Sequence, residues 1–316
     1  MSLKKNTIIL LILALLIMVV IYTTFIYYDN KKRDSTEQNK GIHKNVQVDT
    51  QNNSNKISYG LYNSNGNFIT EGSNLKYEKG VLETTISIGH YINDNRNYML
   101  LIMKDFKQTK FKVSKKTYSS YLINIKPNSE KNITVHVPIT KLDKEIDFII
   151  VKKPEYLVED QDLNKASILQ EVLPLRFMLN NTQEDINLTY EKPQYTYNQG
   201  PIDNVFLSKQ KDKLKVLYSN KGDKEVFLSL GAPENQNMEY AAIAMLNWNQ
   251  VPLINNNVVN YMKISPGKRD VFRLILPNVK KKQNYQIIIF PKPYHVNKND
   301  YESQSSYCSF RTIITP

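Results

Sequence analysis

The side chains able to do chemistry in this chain are few and far apart. Four histidines stand at His43, His90, His136 and His295, and the one cysteine is Cys308. A single cysteine excludes an internal disulfide framework and every multi-cysteine metal site. The chain contains no His-Glu-x-x-His, no phosphate-binding Gly-x-x-x-x-Gly-Lys-Ser/Thr, no Gly-x-Ser-x-Gly and no dinucleotide fingerprint. His136 alternates with apolar residues and reads as a strand histidine, and Cys308 reads as a small packing residue in a last strand over Tyr307–Ile314. Asp160 and Asp162, and Asn93 with Asn95, offer oxygens to a cation, but neither set completes a calcium loop, so both read as solvated turns. The chain is therefore expected to be non-catalytic, with no catalytic residue, cofactor or metal. The residues singled out for partner contact are Phe106 and Trp248. An exposed Trp anchors a sugar or a protein, whereas an aromatic repeated at one place in two copies also fits a role in the fold.

That repetition is visible in the sequence. Ile86–Gln108 aligns without gaps on Leu228–Gln250 at an offset of 142, with Ser87/Ser229, Gly89/Gly231, Tyr98/Tyr240, Met103/Met245 and Gln108/Gln250 among the identities; Phe106 faces Trp248. A second block, residues 121–158 on 260–297 at an offset of 139, matches Ile125/Ile264, Pro127/Pro266, Pro138/Pro277, Ile149/Ile288, Ile150/Ile289 and Pro154/Pro293. Fifteen identities over 61 aligned positions mark a tandem duplication. Within each copy, Ile133, Val135 and Val137, or Phe272, Leu274 and Leu276, occupy every second position, the period of a strand with one face buried. A turn precedes each, Lys-Pro-Asn-Ser at 126–129 and Ser-Pro-Gly-Lys at 265–268, where Asn or Gly tolerates the left-handed region. Short apolar strands follow at 148–151 and 287–290. This pattern predicts antiparallel β-sandwiches of about 100 to 130 residues each.

The run from Ile123 to Val151, and again from Met262 to Phe290, resembles the C-terminal half of the immunoglobulin-like modules of bacterial surface proteins. The Cys-Trp-Cys core of antibody domains is absent. The resemblance implies a mainly β chain, with two tandem immunoglobulin-like antiparallel sandwiches after an N-terminal transmembrane helix, and a role in binding, adhesion or spacing. It supplies no functional residue.

The elements that would position these modules come from the rest of the chain. Residues 1–7 are expected to form a short cytoplasmic N-terminus. Ile8–Tyr28 is 21 residues without a charge, about 31 Å as a helix, which spans a hydrocarbon core and reads as an uncleaved signal anchor. The polar segment 29–56 lacks aromatics and reads as a flexible stalk, which would set the folded part about 30 Å from the bilayer. The first module is expected over 57–158, a connector over 159–187 and the second module over 188–316. In the connector, Ile168, Leu169, Val172, Leu175, Phe177 and Met178 suggest one apolar helix side that Pro174 would kink.

Forty-two Lys and Arg against 30 Asp and Glu give a net charge of +12. That balance favours anionic envelope polymers, or a protein, as partners beside the lipid bilayer engaged by residues 8–28. Lysines are scattered rather than clustered, so nucleic acid is not expected. The flanking charges of the span are nearly tied; its signal-like position places the bulk of the chain outside the cytoplasm at the cell membrane. The expected function is that of a single-pass surface protein in the envelope, the alternative a sensor or accessory subunit of a membrane complex.

Overall fold

The computed structural model describes residues 56–179, 186–198 and 205–316, within a compact unit formed by Ser54–Pro316. The expected span 8–28, and the stalk up to residue 55, lie outside the described residues. Among the described residues no helix is long and apolar enough to cross a membrane. The described chain is mainly β, as expected.

The first half contributes β1 (Lys56–Tyr62), β2 (Phe68–Ile69), β3 (Val81–Tyr91), β4 (Arg96–Lys104), β5 (Lys107–Gln108), β6 (Phe111–Val113), β7 (Lys116–Tyr118), β8 (Ser120–Ile125), β9 (Ser129–Pro138) and β10 (Glu145–Lys152). After helix α1 (Leu163–Gln170), β11 (Leu173–Met178) returns to pair with β10. One sheet runs β2-β1-β3-β9-β6-β7 and the other β11-β10-β4-β5, with β8 also on β4. Leu82, Ile86, Tyr98, Ile123, Val135 and Phe148 are among the side chains filling the space between them.

The second half contributes β12 (Tyr195–Tyr197), β13 (Val205–Ser208), β14 (Ser219–Lys221), β15 (Glu225–Gly231), β16 (Met238–Leu246), β17 (Asn249–Val251), β18 (Asn260–Ile264), β19 (Arg269–Ile275), β20 (Gln283–Pro291), β21 (Tyr307–Cys308) and β22 (Thr312–Thr315). Its sheets run β12-β19-β15-β13 and β14-β22-β20-β16-β17, with β18 on β16 and β21 on β20, over a second core.

The two halves repeat one another at the level of single ladder rungs. Ile102 faces Phe148 in β4–β10, and Ala244 faces Ile287 in β16–β20; Tyr98 faces Ile123 and Tyr240 faces Met262; Ile86 faces Ile133 and Leu228 faces Phe272. Each pair differs by the offsets 142 and 139 read from the sequence. The turns before β9 and β19 use their left-handed residues as expected, Asn128 at φ 50° and Gly267 at φ 64°.

Two features depart from the sequence reading. The segment 159–187 is not one kinked helix. Helix α1 lasts eight residues, capped by Asp162, and Leu173–Met178 is an edge strand of the first sandwich. Pro174 is tolerated there because an edge strand has one side free of ladder bonds, and the strand alternates Leu173, Leu175 and Phe177 into the core. The first sandwich thus continues past residue 158.

The halves are also not independent. Alternate residues of β4, β10, β16 and β20 turn away from their own cores and meet: Leu101, Met103, Ile149 and Val151 from one half pack with Ala241, Ile243, Met245, Ile288 and Phe290 from the other. Strands buried on both faces explain why Leu100–Met103 and Phe148–Val151 are continuous apolar runs rather than alternating ones. Gly72 adds a further contact, because a Cβ there would lie 2.4 Å from the Asn297 backbone.

Candidate functional site

At the centre of this seam lie the two tight turns that carry the aromatic pair. Asp105-Phe106 joins β4 to β5, and Asn247-Trp248 joins β16 to β17; all four residues have positive φ, at 47° and 64° and at 47° and 67°. Two-residue hairpins of this kind favour Asn-Gly or Asp-Gly, because both central residues are left-handed. An aromatic at the second position is therefore disfavoured by its Cβ, and something must outweigh that cost. Burial does so. Phe106 is 0% and Trp248 3% exposed, so neither meets solvent. Phe106 packs on Tyr261, Phe290 and Tyr294 of the second half. Trp248 donates its Nε1–H to the Pro154 carbonyl of the first half at 2.7 Å. The partner that this pair contacts is the opposite half of the same chain.

Beside the turns, Gln108 and Gln250 bond reciprocally across a pseudo-two-fold axis. The backbone N–H of each donates to the side-chain oxygen of the other, at 2.7 and 2.8 Å. Each amide nitrogen then donates to the carbonyl of the opposite aromatic: Gln108 to Trp248 O at 3.0 Å, Gln250 to Phe106 O at 2.8 Å.

Two buried arginines complete the seam in the same two-fold manner. Arg176 on β11 donates to Pro291 O at 2.7 Å and lies over the Phe290 ring; Arg311, just before β22, donates to Lys152 O at 2.6 Å and lies over Trp248. Lys152 and Pro291 are equivalent positions. The surroundings of the two arginines differ in charge. Around Arg176 stand two buried carboxylates, Glu145 with an oxygen 2.6 Å from Nη2 and Asp147 with one 3.3 Å from Nε. The equivalent residues in the second half are Asn284 and Gln286, both neutral. Burial opposes the charge of Arg176, but the two acids outweigh it and raise its pKa. Asp147 is held well above the ordinary carboxylate range, first by burial and then by Glu145. Neither of its oxygens accepts a hydrogen bond. Arg311, without an acid in contact, is lowered to about 10 by burial. Glu145 also accepts the Tyr294 N–H at 2.7 Å, which ties the acidic cluster to the second half.

The other chemistry-bearing residues are used structurally and lie apart. His90 is buried, with Nδ1 2.8 Å from Tyr98 Oη and Nε2 2.8 Å from Asp94 O. His136 pairs with Glu83 on the surface strands β9 and β3 at 3.2 Å. His295 closes a turn on Lys292 O. His43 lies outside the described residues. Asp162 accepts from the Asn164 and Lys165 amides as a helix cap, and Asp160 accepts from the Lys165 ammonium. Cys308 is buried in β21, its thiol pushed up to about 12 by burial. Among the described residues, no three His, Cys, Asp or Glu side chains are grouped to hold a metal ion.

The second half also carries an open surface concavity of about 380 Å³, lined by Tyr195, Phe227 and the loop Lys209–Lys213. Lys211 places its ammonium 3.9 Å from the Tyr195 ring centroid. Three lysines, Lys209, Lys211 and Lys213, and one acid, Asp212, stand around this aromatic surface.

No known family and no curated protein matches this chain. Among solved structures it is similar to the C-terminal domain of the Streptococcus agalactiae AgI/II polypeptide BspA, at 8% identity over 83% of this chain and 100% of that one, with a TM-score of 0.25. It is also similar to the E. coli chaperone DraB (8% identity, 82% and 97% of the two chains, TM-score 0.25) and to a Salmonella enterica structure of the SafA pilin with the SafB chaperone (11%, 81% and 99%, TM-score 0.25). At such TM-scores the likeness carries no argument, and the fold rests on the ladders described above.

Proposed function

We propose that this chain is a non-catalytic, single-pass membrane-anchored surface protein that holds a two-sandwich block in the cell envelope for binding or scaffolding. The observation that carries the reading is the seam: side chains of both halves interlock through two aromatic turns, paired glutamines and two arginines, which suits a rigid bearing surface. The uncharged stretch 8–28 supports the anchor, and the polar run after it supports a spacer. The concavity between Tyr195 and Lys209–Lys213 is the surface that fits an anionic envelope polymer.

Protease treatment of intact cells carrying the full chain with a tag after Pro316 tests the placement. Loss of the tag without lysis is expected; a tag protected until the membrane is broken refutes it. In the same cells, Lys209→Ser, Lys211→Ser and Lys213→Ser together should weaken salt-sensitive retention of purified wall polymer, while retention unchanged by the triple substitution removes the concavity from the reading.

A further inference from the structure

The duplicated halves diverge at one connection, and the divergence places charge where the fold does not use it. Between Gln250 and β18 the second half runs through residues 251–259, which carry no charge, bury Leu253 and tie Asn255 to the Glu191 carboxylate at 2.9 Å. The first half is three residues longer there and builds the β6–β7 hairpin instead. Five lysines, Lys107, Lys110, Lys112, Lys115 and Lys116, stand on or beside this hairpin; all are exposed, and no Asp or Glu occurs from residue 106 through 129. Among the described residues none of the five ammoniums has an ion-pair or hydrogen-bond partner. Gathering like charges costs self-repulsion, and here no neighbouring acid offsets it.

The hairpin is a fixed platform. Phe111 is buried, and Val113, Tyr118 and Tyr121 pack on the first core. By the two-residue period Lys110 and Lys112 point the other way, about 7 Å apart, and Lys115 lies in the turn beyond them. On that face of the sheet the row from Lys112 runs inward to His136 and Glu83, and Glu130 lies further along β9. A flat surface laid on the sheet would therefore meet acids as well; the hairpin edge alone is uniformly basic. We infer that this edge binds a linear phosphate polymer running along β6. Lysine reads phosphate as a point charge, and the planar Arg fork that grips a carboxylate is missing from the hairpin. With Phe111 buried and Tyr118 packed on the core, no ring is free to stack a base, so a nucleic acid gains nothing over its phosphates. The hairpin lies in the other half from the concavity at Lys209–Lys213, so its binding stands or falls apart from that site and from the membrane placement proposed above.

Titration of the purified full chain in detergent with linear polyphosphate, at several sodium chloride concentrations, tests it. Lys110→Ser, Lys112→Ser and Lys115→Ser together should weaken binding about tenfold or more at low salt and lower the slope of log affinity against log salt by about two. Lys221→Ser, Lys224→Ser and Lys281→Ser together remove the same charge from exposed positions of the second half and should weaken binding less than about threefold. Because all six side chains are exposed, both triple variants should keep the circular dichroism and melting midpoint of the parent. Equal weakening by the two triples, which would report net charge alone, overturns the inference. So does absence of polyphosphate binding at low salt, or poly-L-glutamate of matched length bound as tightly. A hairpin triple that loses affinity only for micelles doped with phosphatidylglycerol overturns it too, since the lysines would then serve a lipid surface.

Discussion

Replacing Trp248 by Gly should do less damage than replacing it by Ala, the reverse of the ordinary preference inside a sheet. Either change removes a side chain that is 3% exposed, a loss of about 3–5 kcal/mol for a buried Trp. The Pro154 carbonyl is not orphaned, because the Asn284 amide also donates to it at 3.3 Å. The two variants then differ in the backbone. At φ 67° a Cβ costs about 1–2 kcal/mol, which Ala retains and Gly relieves. Against this, Gly adds about 0.5–1 kcal/mol of chain entropy to the unfolded state. The remainder, between about 0 and 1.5 kcal/mol and centred on about 0.75, favours Gly, and Phe106 at φ 64° should behave in the same way. Guanidinium unfolding of residues 54–316, followed by far-UV circular dichroism because Trp248 is the sole tryptophan, resolves a difference of this size. If Ala equals or exceeds Gly at both turns, aromatic burial is not holding a strained hairpin and the account of the seam fails.

The glutamine pair should behave as a unit: Gln108→Ala and Gln250→Ala should each cost about 1–2 kcal/mol, with the double variant costing at least about 0.5 kcal/mol less than their sum in a mutant cycle. Arg176→Met strands Glu145 and Asp147 beside each other and should destabilise by about 3–5 kcal/mol, a loss that Glu145→Gln with Asp147→Asn should largely restore in the same denaturation assay. Because the folded pKa of Asp147 is raised, the folded chain holds a proton that the unfolded chain releases; its contribution is complete below the unfolded value near 4 and is lost as pH rises through the folded value. Asp147→Asn should flatten that decline in midpoint-against-pH curves. Cys308, with its thiol near 12, should resist iodoacetamide at pH 8 in the native chain and react at once in denaturant, as mass spectrometry of the labelled protein would record.

Much of the architecture was legible because a repeat multiplies weak signals. The alternation in β9 and β19, and the left-handed Asn128 and Gly267, are local facts, and they reappear at the expected offsets. Strand β11 was hidden for a physical reason. Leu173, Leu175 and Phe177 do alternate, but they follow Ile168, Leu169 and Val172 closely enough to read as one helical side, and Pro174 reads as a helix break unless the strand is known to be an edge. The seam was hidden likewise: continuous apolar runs in β4 and β10 state that both faces are covered but not by what. Gln108 and Gln250 were visible as an identity, yet nothing in one strand says that a glutamine meets its own counterpart. Arg176 and Arg311 lie outside the two aligned blocks, so the duplication did not mark them.

Reciprocal contacts between equivalent residues are the geometry of a homodimer whose subunits have been joined end to end. A true homodimer must carry every substitution twice, once on each side of its axis. Covalent joining lifts that requirement, and acids at 145 and 147 where the other half has amides at 284 and 286 are what such freedom permits: charge on one side, neutrality on the other. A joint that began with two interchangeable ends has thereby become directional.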